Sequence, residues 1–103
     1  MNNKNDLPYG THLTHLSKLK DYVGKEIGLT DWNLMTQEKI DSFAEVTEDF
    51  QWIHLDKERA AKESPYKKTI AHGFLVLSMI SKITFKVYSF DDVTMGINYG
   101  LDK

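Results

Sequence analysis

The sequence predicts an α+β domain organised around one apolar helix. Three observations carry that reading. Residues 70–85 form the longest apolar run, with Phe74, Leu75, Val76, Leu77, Met79, Ile80 and Ile83 on nearly every side, too long for an ordinary strand. Residues 11–22 and 36–48 carry helical spacing. Residues 28–35 and 93–101 mix apolar and polar positions in short extended patterns.

The elements follow in order. Residues 1–10 are polar, with Pro8 and Gly10 as punctuation, and are expected to form a flexible tail ahead of a single domain over 11–103. Leu13, Leu16, Leu19 and Tyr22 recur at three-residue steps, which predicts a helix that Gly24 ends. His12 and His15 on it are expected to be exposed helix residues. Leu29, Trp32 and Leu34 suit a short strand. Thr36 reads as an N-cap, with Gln37 and Glu38 in the first turn and Ile40, Phe43 and Ala44 on one face of a helix ending near Glu48. Residues 49–53 read as a turn. Asp56 is placed to cap a short helix over 57–62, which Ser64-Pro65 stops. A single buried helix is expected over 70–85, and a strand over 93–101.

Composition narrows the function classes. The net charge is -2 and Lys and Arg are dispersed, so no basic stripe marks a nucleic-acid partner. The absence of Cys excludes a disulfide framework and a thiolate metal site. The first ten residues lack the apolar core of a signal peptide. The apolar stretch around 74–80 is too short to span a bilayer and is followed by Lys82 and Lys86. We therefore expect a soluble cytoplasmic protein without a membrane partner.

Chemistry concentrates upstream of the apolar run. Asp49 and His54 offer a carboxylate and an imidazole that can divide acid and base roles at one water molecule. His titrates near neutrality, which suits that work. The bland reading is a chance spacing, with Asp49 only the polar end of its helix. His72-Gly73 opens the apolar run. Gly is a poor helix former, so its presence in a first turn makes sense where a ligand carbonyl must approach the backbone. The bland reading is a close-packing glycine beside a helix-terminal His. The spacing of His54 and His72 matches no compact zinc motif, so no metal is expected.

These residues also carry a resemblance. The run Asp49-Phe50-Gln51-Trp52-Ile53-His54-Leu55-Asp56, then Arg59-Ala60-Ala61, then Ile70-Ala71-His72-Gly73-Phe74-Leu75 with Ser78 and Ser81, resembles the MaoC-like dehydratase family. That family includes the (R)-specific enoyl-CoA hydratases. Together with Asn98-Tyr99-Gly100-Leu101, the run is similar to the nodulation-protein-N-like branch. The resemblance implies a hot-dog fold, a long central helix wrapped by a curved antiparallel sheet, commonly as a homodimer. It implies reversible addition of water to a trans-2-enoyl thioester. Asp49 and His54 would be catalytic. Gln51, His72, Gly73 and Ser81 would meet substrate, with the Gly73 amide on the thioester carbonyl. No cofactor is implied, coenzyme A arriving as part of the substrate, for whose phosphates Arg59, Lys67 and Lys68 are available. The chain departs from the hydratases at Gln51-Trp52, where they carry Asn-Pro.

The resemblance further implies several strands beyond residue 101, so the sheet is expected to be incomplete, and the chain alone poorly stable and weakly active. A non-catalytic acyl-thioester-binding module and an inactive truncated fragment remain as alternative readings.

Overall fold

The computed structural model of the chain describes residues 7–102. Residues 1–6 of the expected tail, and Lys103, lie outside the described residues. The described part divides into two compact units, one contiguous over 33–79 and one made of 7–32 with 80–102. Both helix and strand are present, as the α+β reading requires, with two short strands forming the sheet among the described residues.

The contiguous unit is helical. Helix α1 (Gln37–Thr47) starts where Thr36 was read as a cap: its hydroxyl oxygen accepts from the Lys39 N–H at 3.2 Å. Such a cap contributes about 1 kcal/mol. Ile40 and Ala44 are the buried residues of this helix. It ends at Glu48, whose φ of 63° lies in the left-handed region that favours glycine. One turn of helix follows as α2 (Trp52–Leu55), and α3 (Lys57–Glu63) is capped by Asp56, whose carboxylate accepts from the Arg59 N–H at 3.0 Å. Ala60 is fully buried on α3, and Ser64, also fully buried, closes it. The connector through Lys67, another left-handed residue with φ 60°, returns to Ile70, whose N–H bonds the Ile53 carbonyl at 3.1 Å.

The apolar run is helical but not one helix. Ile70 and Ala71 are extended, α4 runs Gly73–Ser78, and α5 runs Ile80–Val87. Two bonds account for the break. The Ser78 hydroxyl donates back to the Phe74 carbonyl at 2.7 Å, a contact that bends helices, and the Met79 N–H bonds Val76, three residues back. Leu75 alone is buried on α4 and no residue is buried on α5. Phe74, Val76, Ile80 and Phe85 are exposed. The expected burial of this helix is therefore not met among the described residues, in keeping with a sheet of only two short strands.

The discontinuous unit pairs β1 (Thr11–Leu13) in parallel with β2 (Tyr88–Phe90), His12 standing opposite Ser89. The segment predicted as helix over 11–22 therefore opens as a strand and continues as a 3-10 helix (Leu16–Tyr22). Its strict three-residue apolar step matches the 3.0 residues per turn of that helix better than 3.6. Gly24, at φ 79°, then reverses the chain. Residues 28–35 form no strand beyond a bridge in which Tyr9 and Leu29 exchange two backbone bonds of 2.8 and 2.9 Å. The Tyr9 hydroxyl donates to Glu26, a bond that raises the phenol above its ordinary value.

His12 and His15 are exposed, as expected, but both are engaged: His12 with Asp91 at 2.8 Å and Ser89 at 2.8 Å, His15 with Asp92 at 3.0 Å. Gly28 is required by close approach, since a Cβ there would stand 2.6 Å from that of Val87. Residues 93–101 are exposed and carry no regular structure, so the predicted strand pairs with no other strand among the described residues. No helix among the described residues is long and apolar enough to cross a membrane.

Candidate active site

Three sequence stretches deliver the site within the contiguous unit. The left-handed Glu48 ends α1 and turns the chain into Asp49. Asp49 is exposed, and its Oδ1 accepts from the Gln51 N–H at 3.4 Å, a local loop that aims the carboxylate. Gln51 then precedes α2, which carries His54 at its third position. His72 ends the extended connector and Gly73 begins α4. One carboxylate oxygen of Asp49 and one ring nitrogen each of His54 and His72 lie within 4.8 Å of one another. A single water bonded to two groups spans about that distance.

The tautomer of His54 follows from its partner. Its Nδ1 lies 2.8 Å from the Ile70 carbonyl oxygen, which only accepts, so Nδ1 carries a proton and in the neutral ring Nε2 keeps its lone pair. The ring is 9% exposed. It is therefore held by the backbone on one edge and able to take a proton on the other.

His72 was expected to meet substrate. Its ring is 2% exposed. It stacks on the His54 ring at 3.8 Å between centroids and 23° between planes, and Phe43 packs on it at 4.9 Å. Its Nε2–H donates to the main-chain carbonyl of Asp49 at 3.1 Å. The buried Nδ1 has no hydrogen-bond partner among the described residues.

The stack bears on metal binding. A metal ion sits close to the plane of each imidazole that binds it, about 2 Å from the nitrogen. Asp49, His54 and His72 are close enough together to hold a metal ion, but with the two rings stacked and their planes 23° apart a shared ion would require one ring to turn.

Gly73 is exposed, and a Cβ built there would meet nothing within 4 Å. Neither packing among the described residues nor a left-handed φ accounts for the glycine, and the approach to its backbone is open. Ser81 belongs to α5 in the other unit, where the Asn98 amide donates to its hydroxyl at 2.7 Å. Of the basic residues considered for phosphates, Arg59 is paired with Glu63 and lies 4.2 Å over the Trp52 ring. Lys67 and Lys68 are exposed.

Sequence reasoning missed Gln37 and Phe43. The Gln37 amide nitrogen donates to the His54 carbonyl at 2.8 Å and to Asp41 at 2.9 Å, and its oxygen accepts from Thr69 at 2.6 Å. One side chain thus ties α1 to α2 and to the connector. The local sequence signals only a first-turn polar residue, because its partners lie 17 and 32 positions away. Phe43 is visible as an apolar-face residue of α1, but nothing in the sequence says that its neighbour is an imidazole.

The sequence family described as MaoC like domain matches residues 18–103. Nodulation protein N of Rhizobium leguminosarum bv. viciae is 45% identical over 93 residues, covering 89% of this chain and 58% of that protein. The protein of that name from Rhizobium meliloti (strain 1021) matches to the same extent. The 3-hydroxyacyl-thioester dehydratase Z of Mycobacterium tuberculosis (strain ATCC 25618 / H37Rv) is 45% identical over 81 residues, covering 79% of this chain and 53% of that protein. The chain thus spans a little over half the length of these curated relatives.

Proposed function

We propose, from the premise that the chain belongs to the MaoC-like domain family, that it carries the acid–base half of an enoyl-thioester hydratase or dehydratase site. The observation that carries the reading is the His54 ring, fixed through Nδ1 with Nε2 left basic, and set within 4.8 Å of Asp49. In the hydration direction His54 Nε2 takes a proton from water while Asp49 orients that water. The hydroxyl bonds to C3 of the enoyl group, and the electron pair of the double bond moves toward the thioester carbonyl. The Gly73 amide receives that carbonyl, and as the electron pair returns C2 takes the proton that His54 had removed from water, which restores the neutral imidazole. Gln51 and His72 flank the reacting groups, and Ser81 is proposed as a further substrate contact. The substrate is an acyl-coenzyme A or similar thioester, with no other cofactor. The dehydratase named among the relatives supports this class.

A hot-dog domain, a homodimer and a cytoplasmic location complete the proposal; membership of the MaoC-like domain family supports the first of these. Incubation with crotonyl-coenzyme A tests the reading. Absorbance of the conjugated thioester is expected to fall, and Asp49→Asn and His54→Ala each to lower kcat/KM by about 10²–10⁴-fold. No loss of absorbance with enoyl thioesters of several lengths overturns it.

A further inference from the structure

The hydratase mechanism uses Asp49, His54 and Gly73, yet the most completely buried ring of the site is that of His72. A buried polar ring in a small apolar core needs a reason, because leaving its nitrogens unpaired is costly. One nitrogen finds a partner and the other does not. A hydrophobic residue would leave no orphaned ring nitrogen but would take the donor from the Asp49 carbonyl, so what a histidine supplies here is that bond.

Its contacts point elsewhere. The Nε2–H bond ends on the main-chain carbonyl of Asp49, 23 positions away, so it holds the backbone from which the carboxylate projects. The ring face lies against His54, so it limits rotation of that imidazole about its own side-chain bonds. Phe43 closes the opposite approach with a tilted ring. At 2% exposure the ring presents almost no surface to a ligand. Ile70, two residues earlier, supplies the carbonyl that sets the His54 tautomer. The extended 70–72 strap thus orients both members of the pair at once.

We propose that His72 is a positioning residue: it holds the Asp49 backbone by its Nε2–H and, by stacking, keeps the His54 ring turned so that its Nδ1 stays on the Ile70 carbonyl that sets its tautomer. The proposal rests on the hydratase reading for its catalytic consequence, but its structural claim is separately measurable.

Two variants separate the parts. His72→Phe keeps a ring against His54 and Phe43 and removes the donor to Asp49. His72→Gln keeps an N–H donor and removes the aromatic face. In the wild-type chain, long-range proton–nitrogen spectra of the 15N-labelled protein are expected to show His54 as the Nδ1–H tautomer and His72 as the Nε2–H tautomer. In His72→Gln, which removes the stack, His54 is expected to become a tautomer mixture, and in His72→Phe, which keeps it, to stay Nδ1–H, both melting curves staying cooperative. Turnover of crotonyl-coenzyme A is expected to lose about 10²-fold in kcat in His72→Phe with KM changed less than about twofold, and to lose less in His72→Gln. An unchanged His54 tautomer in His72→Gln, or kcat equal to wild type in His72→Phe, overturns the proposal. Absence of turnover in the wild-type chain overturns the hydratase reading instead, and the spectra then decide the role of His72 alone.

Discussion

Gln37 joins three segments through one amide, and its loss exposes how far the site depends on residues outside its motif. Gln37→Ala removes the bonds to the His54 carbonyl, Asp41 and Thr69. The substitution is expected to destabilise the chain by about 1–3 kcal/mol, read as a lower urea midpoint at unchanged slope. A midpoint equal to wild type would mean that water replaces those bonds without loss. The pairing of Asp49 with His54, and the place of His72-Gly73 at the head of the apolar run, were legible from their spacing and from the family resemblance of the run that holds them, not from scarcity, since the chain carries 15 acidic residues and four histidines. Gln37 and Phe43 were not legible, because an amide and an aromatic ring on a helix face have many ordinary uses. What the sequence left open at His72 was the direction in which its ring points. That direction is decided by a stack across 18 residues and a bond across 23.

Elements governed by local chemistry came out as read. Thr36 and Asp56 cap the helices they were assigned to, and Ser64-Pro65 stops α3. The C-terminus of α1 carries an unfavourable choice. Glu48 occupies a left-handed conformation that raises the energy of a residue with a Cβ by about 1–2 kcal/mol. Glu48→Gly is expected to raise stability by about 1 kcal/mol, after the entropy of glycine is set against that strain. A lower melting temperature in this variant would show that the Glu48 side chain makes a compensating interaction. Elements governed by tertiary pairing were misread. The 11–22 segment has its first three residues recruited by β2, and 93–101 has the composition of a strand but pairs with no other strand among the described residues. The 70–85 run was read correctly as helical, but hydrophobicity carries no information about a hydroxyl that bonds back and interrupts it.

At the scale of the whole molecule, apolar surface is the unresolved feature. Phe74, Val76, Ile80 and Phe85 are all more than half exposed, and so are Met95, Ile97, Tyr99 and Leu101. Backbone amides over 93–101 are expected to exchange with deuterated water about as fast as an unstructured peptide, while those in the second half of α1 are slowed by orders of magnitude. Protection across 93–101 would mean that this segment finds a strand partner in solution. The division into units has a consequence for synthesis. Residues 33–79, which hold Asp49, His54 and His72, are contiguous, whereas β1 must await β2, 77 positions later. Closing a loop of that length carries a length-dependent entropy cost of about 4 kcal/mol before any pairing compensates it. On a ribosome, residues 33–79 therefore emerge and can order before the parallel strand pair can form.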